Sequence, residues 1–176
     1  MPDTSKLESL LQGLENGTYP VLSLRINSNQ VAPGTKIAKK DTQHAPTLSF
    51  PTGLPEGDEY TVISLDIDGP YTSWDVLSPI VHWIQTGFRV KAAQGEKELV
   101  SDDPPVVPWL PAGPPPGGSP HRYLFLLYAP KPGSSVPKEL KGRSVFILRR
   151  MRFDLDAMVG RLGLGEVVAV GFFVSN

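Results

Sequence analysis

The chain has 176 residues, three histidines, no cysteine and a formal net charge of -1. That length suits one domain burying roughly 70% of its unfolded surface, while the lack of cysteine excludes a disulfide framework, a thiolate nucleophile and any Cys-ligated metal. Near-zero charge offers no field to draw in nucleic acid or an anionic membrane, and no stretch reaches the ~18 apolar residues of a membrane span, so the expected compartment is the cytoplasm.

In chain order, Ser5 and Glu8 stand at capping-box spacing, Leu7, Leu10, Leu11 and Leu14 fall at i, i+3, i+4 and i+7, and Gly17 offers a stop. This predicts a helical segment within residues 1–18 whose leucine stripe docks on its own domain. The period then changes to two. Val21–Ile26, Thr47–Phe50, Tyr60–Ile67, Ile80–Ile84, Arg122–Tyr128 and Val145–Leu148 read as strands, rich in β-branched and aromatic residues. Asp154–Leu162 reads as a second short helix and Glu166–Val174 as a closing strand. Eight prolines fall between Pro104 and Pro120, which rules out a buried helix there. Because strands flank this stretch closely, it is read as a Pro/Gly-rich loop inside one domain spanning 1–176. Many strands, few helices and long loops indicate a mainly β, sandwich-like fold with short peripheral helices.

Three segments carry the chemistry. The end of the Tyr60–Ile67 strand reads Asp66-Ile67-Asp68-Gly69-Pro70; strand alternation puts Asp66 and Asp68 on one side, where they repel unless each finds a partner or water. Asp-Gly-Pro is also ordinary turn chemistry. His82, in Val81-His82-Trp83, is expected to share a face with Ile80 and Ile84 and so to point at apolar surroundings. His121 opens a strand directly after the Pro/Gly loop, with His121, Tyr123 and Phe125 on one face and Arg122, Leu124 and Leu126 on the other.

Taken together and in this order, the three segments resemble the phosphatidylethanolamine-binding protein family. That family carries an Asp-Pro-Asp-Ala-Pro strand end, then Leu-His-Trp, then a Gly-Pro-Pro loop running into His-Arg-Tyr. Here these stand as Asp66–Pro70, Val81-His82-Trp83, Gly113-Pro114-Pro115 and His121-Arg122-Tyr123, and the tail (Phe153, Leu162-Gly163, Val168–Phe173) is similar as well. The resemblance implies an antiparallel β-sandwich with a small anion-accepting pocket. It would be lined by Asp66, Asp68, His82, Gly113, Pro114, His121 and Tyr123, with no metal and no cofactor. Ile67 and Gly69 replace the family's Pro and Ala, and no arginine stands in Tyr71–Pro79 where relatives have one. Many relatives also continue past the last strand into a C-terminal helix, so a chain ending at Asn176 implies a more open mouth.

The resemblance implies a binding module for a small phosphate- or carboxylate-bearing anion. A second class is an enzyme. The likeness is to divergent fungal members that accompany biosynthetic clusters and are implicated in joining maleic-anhydride units, with His82, His121 and Asp66 then catalytic. A third is a protease or kinase inhibitor or scaffold with an unknown protein partner. Two histidines and a carboxylate also resemble a metal triad, but no close-spaced ligand pair accompanies them. Finally, eight Lys/Arg against three acids between Lys131 and Arg161 are read as a solvated face rather than a lipid-binding patch.

Overall fold

The computed structural model describes residues 4–49, 55, 58–74, 76–93, 96–140 and 149–176; the expected strand at Val145–Leu148, with Lys141 and Arg143, lies outside the described residues. The elements are α1 (Ser5–Glu15), β1 (Leu24–Ile26), β2 (Asn29–Val31), β3 (Thr47–Ser49), β4 (Tyr60–Asp66), β5 (Ile80–Ala93), β6 (Glu96–Val100), β7 (His121–Pro130), α2 (Leu155–Leu162) and β8 (Leu164–Ser175), with 3₁₀ turns at Lys39–Thr42 and Lys138–Leu140. The strands among the described residues join one antiparallel ladder in the order β2-β1-β3-β6-β5-β4-β7-β8.

The ladder curls over itself at β5. Its first half pairs with β4 and its end, Arg89–Ala93, pairs with β6. The change falls at a bulge between Gln85 and Phe88 that contains Gly87 at φ 72°. A side chain at 87 would be strained by that φ, and its Cβ would lie 2.4 Å from the Asp103 carboxylate.

The curl creates two cores. Tyr60, Val62, Tyr123, Phe125, Leu127, Ala169 and Phe173 pack against Leu24, Leu48 and Leu99 from the other half of the ladder. On the opposite face Ile63, Leu65, Leu124, Leu126 and Val170 are covered by the α1 leucines and by Leu155 and Leu162 of α2. β4, buried at every position, has core on both sides. The leucine stripe of α1 thus packs on its own domain, as expected. The capping box does not form: Thr4 is the N-cap and makes no side-chain bond, and Glu8 instead reaches Arg122. At α2, Asp154 is the N-cap and accepts from the Ala157 amide at 2.9 Å.

The proline-rich stretch runs along the free edge of β5's first half. Val106 and Val107 donate to the Ile84 carbonyl, Ile84 donates back to Val107, and Leu110 donates to His82. Proline cannot donate, so the few non-proline amides carry this edge pairing.

Candidate functional site

The site lies at the end of the central strands β5, β4 and β7. Register places Asp66 opposite Ile80 on one side and Tyr123 on the other. Asp66, His82, His121 and Tyr123 are all nearly or fully buried.

His121 donates Nδ1–H to Asp66 Oδ2 at 2.8 Å and Nε2–H to the Pro70 carbonyl at 3.1 Å. Both partners are acceptors, so this geometry calls for the doubly protonated ring. Burial alone would lower its pKa. The hydrogen bond and charge of Asp66, with help from Asp68 and the Pro70 carbonyl, outweigh burial and hold it above 6.5. The other Asp66 oxygen accepts the Asp68 amide at 2.9 Å.

Alternation fails for the two aspartates, because β4 stops at Asp66 and the chain turns. Asp68 is held instead by Arg122, through its amide and Nε to Oδ2 (both 2.8 Å) and Nη2 to Oδ1 at 2.7 Å. Arg122 also makes a two-pronged pair with Glu8 of α1, at 2.8 and 3.0 Å. Its pKa is raised by Asp68 first, and by Glu8, against the cost of burial. Each carboxylate has a cation of its own, which resolves the expected repulsion.

His82 also departs from the expected face. Ser64 pairs with Trp83 and Leu65 with Val81, so His82 is the extra residue of a bulge. The bulge turns its ring away from Ile84, which lies in the helix-side core, and sets it edge-on to Tyr123 (5.0 Å between centroids) and Trp109 (6.4 Å). Its Nδ1–H donates to the Leu110 carbonyl at 2.8 Å, and Nε2 has no hydrogen-bond partner among the described residues. Burial, aided by the charges of Arg150 and His121, pushes its pKa down despite the Leu110 bond and Asp66. The ring is therefore neutral at neutral pH, with a bare Nε2 lone pair.

The rim is Ala112-Gly113-Pro114. Gly113 donates its amide to the Tyr123 hydroxyl at 3.3 Å, and burial, with Asp66 nearby, raises the Tyr123 pKa. Thr42 accepts from the Ala112 amide at 3.0 Å and Lys39 donates to the Pro114 carbonyl. The replacement of the family's alanine by Gly69 has a steric counterpart: a Cβ there would lie 2.5 Å from Ile80 Cδ1.

Several residues of the site carry no motif signal. Arg150, read from sequence as part of a solvated basic face, is buried and donates to the carbonyls of Val81 (3.3 Å), His82 (3.2 Å) and Pro108 (2.9 Å). It braces the His82 bulge, and burial lowers its pKa. Lys131, Lys138, Arg149, Arg152 and Arg161 of the same stretch are exposed. Ser175, opposite His121 across β7 and β8, has a fully buried hydroxyl with no hydrogen-bond partner among the described residues. No helix among the described residues is long and apolar enough to cross a membrane.

A curled antiparallel ladder that holds a buried Asp66–His121 hydrogen-bonded pair and a second buried histidine, His82, at one end defines a small β protein with a polar end-site. The family model described as phosphatidylethanolamine-binding protein matches residues 27–169, and the chain belongs to that family. A curated relative, the phomoidride biosynthesis cluster protein N of Talaromyces stipitatus, is 27% identical over 116 residues. That alignment covers 65% of this chain and 56% of the relative, so the chain spans little more than half of it. Among solved structures, a carboxypeptidase Y inhibitor complexed with its cognate proteinase superposes with a TM-score of 0.70 at 19% identity, covering 98% of this chain and 92% of that one. The phosphatidylethanolamine-binding protein of Plasmodium vivax gives 0.62 at 16% identity, covering 90% and 87%. These structural likenesses establish the fold.

Proposed function

We propose that the end-site binds a small phosphate- or carboxylate-bearing molecule, with His82 Nε2 as the group that meets it. The observation that carries this reading is the asymmetry of the two histidines. His121 has both N–H groups spent inside the protein, whereas His82 keeps one nitrogen bare among the described residues. An anion placed there favours protonation of His82, which then donates to it. Binding therefore takes up a proton, and affinity rises as pH falls toward the range below 6.5. Calorimetry with O-phosphorylethanolamine, and with sulfate as an anion of constant charge, tests this. Affinity should be several-fold higher at about pH 6 than at about pH 8, with buffer-dependent heats that report proton uptake. H82Q should flatten that dependence. Wild-type affinity that ignores pH, or no binding at all, counts against the reading.

A second reading is an enzyme of specialised metabolism, favoured by the printed name of the Talaromyces relative and by a neutral imidazole lying beside an imidazolium. In it His82 Nε2 accepts a proton from the alkyl carbon attached to the substrate's carbonyl-conjugated double bond, and the imidazolium so formed stabilises the dienolate charge that develops. Such acid–base help is typically worth ~10²–10⁴-fold. Incubation with a dialkylmaleate or its anhydride, followed by NMR, separates the readings: new carbon–carbon-coupled product, absent with H82Q, supports the enzyme.

A further inference from the structure

We propose that Thr42, which lies outside every motif of the chain, is a positioning residue: it holds the rim segment Trp109–Ala112 so that the Leu110 carbonyl keeps His82 in its Nδ1–H form. The proposal rests on the reading of His82 as the ligand-facing imidazole. Thr42 closes the 3₁₀ turn Lys39–Thr42 and is buried, at 1% exposure. Its hydroxyl donates to the Lys39 carbonyl at 2.8 Å and accepts the Ala112 amide at 3.0 Å, while its own carbonyl accepts Trp109 Nε1–H at 2.8 Å. Trp109 and Ala112 therefore leave the same residue on either side of Leu110. Between those two anchors Leu110 makes a reciprocal pair with His82, amide to carbonyl and carbonyl to Nδ1–H, both at 2.8 Å.

Pro108 and Pro111 supply no amide hydrogens, so beyond Arg150 on the Pro108 carbonyl and the Leu110–His82 pair the Thr42 contacts are the hydrogen bonds that hold Trp109–Ala112. The turn also reaches the next rim residue, since Lys39 donates to the Pro114 carbonyl. Trp109 is wedged between Trp83 at 6.0 Å and Phe125 at 6.1 Å, so its indole is a stiff strut rather than a loose side chain. A single buried hydroxyl and its carbonyl thus control which nitrogen of a ring they never touch carries the proton. A residue that only stabilised the fold would leave that proton where it is.

The test is the ¹⁵N spectrum of the ring nitrogens of His82 in ligand-free protein, at a pH where the ring is neutral, followed by a titration with inorganic phosphate. Wild type should show one Nδ1–H tautomer. T42V, equal in shape but without the hydroxyl, should show a mixture of tautomers and bind phosphate up to about 10-fold more weakly, the scale of one lost hydrogen bond. T42S should restore both. If T42V fails to fold, W109F, which removes the indole donor to the Thr42 carbonyl, is read in its place. A folded variant that keeps a pure Nδ1–H tautomer overturns the proposal even where phosphate binds. Wild type that ignores phosphate while T42V shifts the tautomer overturns the binding reading and leaves the positioning role in place.

Discussion

His121 donates both ring N–H groups to acceptors, Asp66 and the Pro70 carbonyl, whereas His82 donates one and keeps the other nitrogen bare. The two rings therefore couple to stability with opposite signs. The pKa of His121 lies above 6.5 in the folded chain, so its stabilisation is complete below the unfolded value and fades as pH rises through the folded one. The pKa of His82 lies below 6.5. As pH falls from 6.5 to the folded value, the unfolded chain binds a proton that the folded chain refuses, and stability falls. Urea unfolding across pH should show both. D66N should cost about 1–3 kcal/mol near neutrality and remove His121's share of the alkaline-side loss. H82Q should remove His82's share of the acid-side loss. Unchanged pH slopes in both variants would refute this assignment of charges. The identities of these residues were legible in the sequence from their motifs; their protonation states were not, because those depend on the carbonyls of Pro70 and Leu110, which the sequence does not place.

At the scale of elements, local rules held where the chain stays regular and failed where it departs from the regular period. The β7 reading put His121, Tyr123 and Phe125 on one face, and Tyr123 and Phe125 do line the core between the two halves of the ladder while Leu124 and Leu126 face the helices. The β5 reading failed at His82, because a bulge is a tertiary event held by Arg150 on the Val81 and His82 carbonyls. No period-two pattern announces it. The short strands β2 and β6 also went unread, being only three and five residues long and rich in polar side chains. The same blindness hid the bond between α1 and the sheet. Glu8, expected to cap its helix, is one arm of the Glu8–Arg122–Asp68 chain. R122M should cost about 3–5 kcal/mol, since it leaves the carboxylate of Asp68 buried without its cation. E8Q, at a half-exposed position, should cost less than about 1 kcal/mol. Equal effects of the two substitutions in thermal melts would mean that Asp68 is stabilised from elsewhere.

Across the whole molecule, the curl of one ladder places every candidate group at one end. β4 and β7 bring Asp66, Tyr123 and His121 into register, and β5 delivers His82 from the neighbouring strand. The proline-rich segment, pinned along β5 and to the Lys39–Thr42 turn, then forms the rim. The β-rich fold with peripheral helices was legible because apolar residues, many of them β-branched or aromatic, run almost unbroken through β4, β7 and β8. The rim's anchorage was not, since Thr42 and Lys39 lie some seventy residues earlier in sequence than the partners they hold. His82 Nε2, bare among the described residues, is the group proposed to meet the ligand. A ¹H–¹⁵N titration of histidine-labelled protein with phosphate tests it most directly. His82 Nε2 should change saturably from a bare to a protonated nitrogen, with Asp66-bonded His121 little altered. A His82 ring that keeps its bare Nε2 at saturating phosphate, while His121 or other residues respond, would contradict it.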